Sequence, residues 1–273
     1  MANGRDRLLQ HLELAAAAYG DDLPLPRGEA WVRPAAVAAP APVPAPPPTP
    51  AAASPRPEPA PAPQKAPGPD ALQGPPATAP ATADLDALRT EVLRCTRCKL
   101  HAGRTTVVFG EGNPKARVMF IGEAPGAQED RTGRPFVGPA GQLLDKILEN
   151  AMGLRRSDVY IANINKCRPP DNRVPEADEV AACLPYLRAQ VELIRPEVIV
   201  CLGRTAAQNL LGTTASTTAL RGQRLVYADI PVVVTWHPAY LLREPSHKRE
   251  TWDDIKRVNR LLGRPEVPPS AGT

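Results

Sequence analysis

The chain has 273 residues, 33 Lys and Arg against 29 Asp and Glu for a net charge of +4, and 35 prolines, eighteen of them between Pro34 and Pro80. No run approaches the ~18 apolar residues of a membrane span, and the N-terminal residues lack the apolar region of a secretory signal, so a cytoplasmic, nucleoid-associated protein is expected with no membrane partner. Residues 84–273 carry a surplus of five positive charges, which permits a polyanionic partner without demonstrating one.

Taken in order, residues 5–19 place Leu8, Leu12, Ala15, Ala16 and Tyr19 on one helical face. The pattern predicts a short amphipathic helix within residues 1–33, either a docking peptide for an unknown protein partner or a marginal helix without one. Residues 34–83, alternating proline and alanine, cannot bury enough apolar surface to offset their ordering entropy and read as a disordered linker. The foldable mass lies at 84–264, ample for one core, and 265–273 read as a disordered tail.

From residue 84 the pattern alternates. Helices are predicted over 84–95, 139–153, 175–194, 204–212 and 248–263, with Pro139 near the start of the second and Gly153 as its stop. Between them lie apolar strands at 118–123, 159–164, 198–203 and 232–237. This order predicts an α/β fold, three layers α/β/α around a central, mainly parallel four-stranded sheet. In such sheets ligands bind beyond the carboxyl ends of the strands, where three conspicuous loops should meet: GEAPGAQED at 122–130, NINKCRPPDNRVP at 163–175 and WHPAYLLREP at 236–245.

Cys95 and Cys98 form a C-x-x-C pair, and Cys167 and Cys183 follow later with fifteen residues between them. In a reducing compartment four such thiols suit tetrahedral zinc or an iron-sulfur cluster, and spacing does not choose between them. Cys201, inside VIVCLG, reads as a core residue. The loop at 122–130 lacks the G-K-[ST] of a phosphate cradle and its carboxylates would repel a phosphate.

Together GEAPGAQEDRTGRPFVGPAGQLLDKIL, NINKCRPPDNRVP, the four cysteines and WHPAYLLR resemble the family 4 uracil-DNA glycosylases, the iron-sulfur branch of that superfamily, over about residues 88–262. The resemblance implies a monomeric, monofunctional glycosylase. It would flip uracil out of DNA and hydrolyse the N-glycosidic bond, leaving an abasic site for base excision repair. It places Asn163 at the base-reading position, where one amide satisfies the O4 acceptor and N3 donor of uracil. Phe136 would stack on the base, Glu129 would exclude the thymine methyl, and the backbone at Gly122 and Ala124 would approach the base. His237 would stabilise the departing uracil anion, and Glu123 and Asn172 are two catalytic candidates for holding the attacking water. Leu241 and Leu242 would enter the space left by the base, with Arg243 on a phosphate. It also implies that Cys95, Cys98, Cys167 and Cys183 hold a 4Fe-4S cluster. A related branch traps abasic sites through a histidine on an inserted loop, but Cys167 runs directly into RPPDNRVP with no histidine, which favours turnover. A metal-dependent DNA-binding scaffold is the third reading.

Overall fold

Four runs of β-branched and aliphatic residues form the centre of the sheet: β2 (Val118–Gly122), β3 (Tyr160–Asn163), β4 (Val198–Leu202) and β6 (Ile230–Thr235), all mutually parallel in the order β3-β2-β4-β6. The computed structural model describes residues 84–265. The helix expected at 5–19, the linker at 34–83 and tail residues 266–273 lie outside the described residues.

Every side chain of β2 and β4 is buried, as in a sheet covered on both faces. The strand period of two sorts them. Met119, Ile121, Ile199 and Cys201 enter one core with α4 (Ala177–Ile194) and α5 (Arg204–Leu211). Val118, Phe120, Val198 and Val200 enter the other, with α3 (Pro139–Ile147) and α8 (Lys248–Leu261). Three layers result, and Cys201 is a core residue as expected. A third apolar cluster joins Leu88 and Val92 of α1 (Leu85–Leu93) to Tyr186 of α4 and to Cys167 and Cys183.

The sheet has six strands, not four. Short β1 (Glu111–Gly112) pairs antiparallel with β3, and β5 (Leu225–Tyr227) pairs antiparallel with β6. Two or three residues are too few to show a period, and both strands protect the edges of the parallel centre. Two stretches read as loops are helical. Within the glycine-rich segment α2 (Ala127–Thr132) makes a turn and a half, ended by Gly133 at φ 71°. After His237, α7 (Pro238–Arg243) starts on Pro238, whose missing N–H costs nothing at a first helical position. The remaining helix, α6 (Thr217–Leu220), is a single turn capped by Ser216. Among the described residues no helix is long and apolar enough to cross a membrane.

Candidate active site

The carboxyl ends of β2, β3 and β6 open onto one cavity of about 530 Å³. The three loops singled out from the sequence meet there. Glu123, Ala124, Glu129, Phe136, Asn163, Asn172, His237 and Arg243 all line it, whereas Gly122 is buried behind Asn163 and Phe136 and does not.

Gly122 ends β2, paired in register with Asn163 at the end of β3. A Cβ on Gly122 would stand 2.4 Å from Asn163 Oδ1 and 2.5 Å from the Phe136 ring. Only glycine leaves room here, so Asn163 and Phe136 pack together over the same side of the strand end. Asn163 is 2% exposed and its Oδ1 is buried with no hydrogen-bond partner. An unpaired buried amide oxygen costs free energy that a ligand donor can recover.

Phe136 holds a left-handed backbone, φ 51°, unusual outside glycine. Its carbonyl accepts from Arg156 Nη1 at 2.9 Å, and Arg156 also donates to the Pro135 carbonyl. Helix α3 lies so close behind that a Cβ on Gly141 would fall 1.9 Å from the Phe136 carbonyl oxygen. The strain is held in place by these contacts and keeps the ring over the cavity. Glu129, on α2, accepts from the amides of Val137 and Gly138 at 2.9 Å each, capping the N-terminus of α3 and closing the wall beside Phe136.

His237 is the N-cap of α7. Its Nδ1 accepts from the Ala239 amide at 3.1 Å, which leaves Nε2 to carry the ring proton. Burial, and then the Arg243 guanidinium, push its pKa down to about 4, against a small upward pull from Glu129. The imidazole is therefore neutral at pH 7 and offers one donor. Its ring centroid lies 5.6 Å from that of Phe136. A Cβ on Gly203 would approach the His237 Cβ to 2.9 Å, so the residue following β4 must be glycine for the histidine to sit here.

The two water-holding candidates differ in their surroundings. The Glu123 carboxylate has no hydrogen-bond or ion-pair partner among the described residues, whereas its backbone carbonyl accepts from the Asn165 amide at 3.0 Å. Asn172 is exposed, at φ 54°, and its Oδ1 already accepts from Arg168 Nε at 2.8 Å. The loop carrying Asn172 is latched by Arg173, whose guanidinium makes two hydrogen bonds, at 2.8 and 2.6 Å, to the buried Glu179 of α4. At the rim, Leu241 does not share an apolar tip with Leu242. It is 1% exposed, turned inward where α7 packs against α3, while Leu242 is 41% exposed and Arg243 is exposed. The helical period separates the two neighbours.

The four predicted cysteines converge behind this wall, lining one narrow cavity with Arg97, Arg104 and Lys166. Among the described residues no three His, Cys, Asp or Glu side chains are already placed to hold a metal ion. The chemistry of the set nevertheless fits an anionic sulfur-ligated group. Four thiols face one space with cationic neighbours. Donors already reach the sulfurs: Arg104 Nη1 to Cys167 Sγ at 3.2 Å and the Lys166 amide to Cys183 Sγ at 3.2 Å.

Sequence reasoning found the pocket's lining but missed Arg156, Gly141, Gly203 and Arg173, which support it from elsewhere in the chain. A signal existed only for the glycines, one between a strand and a helix and one in the first turn of α3.

An α/β sheet whose carboxyl edge carries a cleft lined by a buried amide, an aromatic ring and a neutral imidazole has the layout of an α/β enzyme. A family model described as the uracil DNA glycosylase superfamily matches residues 109–256, just over half of the chain. Similar proteins include the type-4 uracil-DNA glycosylases of Thermotoga maritima (46% identical, covering 65% of this chain and 94% of the relative) and Archaeoglobus fulgidus (46%, covering 66% and 94%). A third, from Sulfurisphaera tokodaii, is 43% identical over 67% of this chain and 86% of the relative. The chain belongs to the uracil DNA glycosylase superfamily, in its type-4 branch.

Proposed function

We propose that this protein flips uracil from DNA and hydrolyses its N-glycosidic bond, releasing the base and leaving an abasic site. The observation that carries the reading is the buried, unpartnered Asn163 Oδ1 held against the Phe136 ring at the end of β2. A flipped uracil stacked on Phe136 donates N3–H to that oxygen and accepts at O4 from the same amide. Cytosine offers the opposite pattern and leaves both groups unpaired. Glu129, immobilised by two amides, walls off the edge where thymine carries its methyl.

Cleavage puts negative charge on the departing base and positive charge on the sugar. The neutral His237 donates from Nε2 to the base oxygen as charge develops there, with no proton to be lost first. Glu123, with no partner of its own, suits the cationic side, where it orients the attacking water and stabilises the sugar. Asn172, with Oδ1 engaged by Arg168, is the second candidate for the water. Leu242 is the apolar residue able to fill the space vacated in the helix, with Arg243 on a phosphate.

Cys95, Cys98, Cys167 and Cys183 are the residues that would hold a 4Fe-4S cluster, which when bound would tie the segment after α1 and the loop after β3 to α4. Protein purified without oxygen is expected to be brown and to contain iron and sulfide in equal amounts. Stoichiometric zinc would overturn the cluster assignment.

The activity is tested with end-labelled DNA carrying a single uracil, treated with alkali and resolved on denaturing gels with and without prior proteolysis. Strand breaks at uracil exceeding the enzyme concentration are expected. A protein-sized adduct on the DNA would show trapping instead of turnover, and intact strands would leave a DNA-binding scaffold.

A further inference from the structure

We propose that Lys166 is a positioning residue that sets the base-reading Asn163 and ties it to the cysteine cage, an inference that rests on the uracil-reading role given above. Lys166 is 1% exposed. Its Nζ donates to the Asn163 carbonyl at 2.9 Å and to Gln190 Oε1 at 2.6 Å, and its backbone amide donates to Cys183 Sγ at 3.2 Å. Gln190 is itself anchored on α4 by donating from Nε2 to the Phe109 carbonyl at 2.9 Å and to the Tyr160 hydroxyl at 3.2 Å.

No carboxylate lies within ion-pair distance of Lys166 among the described residues, and the nearby Cys183 and Cys167 sulfurs offset the cost of burying this amine only in part. An apolar side chain of the same length would fill the space at lower cost. What the ammonium adds is direction: it holds the carbonyl of the residue whose side chain reads the base. Residues 163–167 are also held by two backbone hydrogen bonds to β2 and its loop, Ile164 to Gly122 and Asn165 to Glu123, both at 3.0 Å, by the Val108 amide on the Lys166 carbonyl at 2.8 Å, by Asn165 Nδ2 on the Glu179 carbonyl and by Arg104 on Cys167 Sγ. The segment begins at the base reader and ends at cage residue Cys167, and Lys166 bonds the carbonyl of the first and, through its amide, the sulfur of a second cage cysteine, Cys183.

The test replaces Lys166 with methionine, which keeps the stem and removes the donors, in protein purified with its metal content intact. Four quantities are read: iron content, kcat and KM separately, inhibition by free uracil, and uracil-over-cytosine preference. With iron at the parent level, the uracil inhibition constant is expected to rise roughly tenfold, the scale of one hydrogen bond, with a matching loss of base preference. A fully loaded variant with parental uracil affinity and preference would overturn the inference, because a lysine that only fills the core moves neither. Should Lys166→Met lose its iron, Gln190→Met decides. It removes the second acceptor away from the cage and is expected to raise the same inhibition constant severalfold, and an unchanged constant overturns the inference. Asn163→Asp run in parallel separates the two readings. If its base preference is unchanged, the uracil-reading role itself fails; if it shifts while the lysine and glutamine variants behave as parent, only the role of Lys166 fails.

Discussion

Replacing His237 with alanine is expected to lower kcat for uracil release by roughly 10²–10³-fold, the cost of removing one donor aimed at a developing anion, while KM changes little. The split follows from the geometry, because Nε2 meets a weak carbonyl acceptor in the ground state and a charged oxygen only as the bond breaks. The pH profile separates this role from a structural one. An ordinary histidine loses its proton near 6.5. Here burial and Arg243 bring that down to about 4, so kcat of the parent enzyme should show no step near 6.5 that the alanine variant removes. The sign for stability is fixed as well. Between pH 6.5 and 4 the unfolded chain takes up a proton at this position that the folded one refuses, so stability is full above 6.5 and falls as the pH drops toward 4. A variant whose KM rises and whose kcat is preserved would make His237 a binding residue only.

The parallel centre of the sheet was legible because its strands are buried on both faces and read as unbroken apolar runs, VMFI or VIVCL, between amphipathic helices. The edges were not. A two-residue β1 has no period, and β5 is defined by its pairing with β6. The helices α2 and α7 were hidden for a related reason: each is six residues long and bounded by glycine or proline, so breakers outnumber the turns between them. For the site, the residues that touch a base carry the motifs, and Asn163, Phe136, Glu129, Glu123 and His237 do line one cleft. What the sequence does not display is the support. Arg156 holds the Phe136 carbonyl from twenty residues away, and Lys166 reaches Gln190 across twenty-four. Such contacts exist only once the sheet has been assembled. The inward turn of Leu241 is a further case, since WHPAYLLR reads as an exposed apolar tip until the helical period sends its two leucines in different directions.

Changing Asn163 to aspartate is expected to abolish most of the preference for uracil over cytosine, measured as the ratio of kcat/KM on otherwise identical oligonucleotides. A site built to hydrogen-bond one edge pattern rejects its reverse by ~10⁴–10⁵, because the buried groups are left unpaired. The amide supplies one acceptor, Oδ1, and one donor, Nδ2, in the order uracil requires. A carboxylate offers acceptors at both positions, so it faces uracil O4 with like partial charge and accepts readily from the cytosine amino group. Uracil therefore loses a hydrogen bond and gains a repulsion, while cytosine gains an acceptor where it had faced a donor. The side chains have the same shape, and the Gly122 approach that packs Phe136 and residue 163 together is preserved, so the fold and the stacking contribution should be unaffected. Stacking on Phe136 is blind to the base edge and supplies affinity to both substrates. The selectivity that remains in the variant thus measures what Glu129 and the cavity's shape contribute without the reader. An aspartate variant that kept parental discrimination would move base reading away from residue 163, leaving its buried, unpaired oxygen without a function.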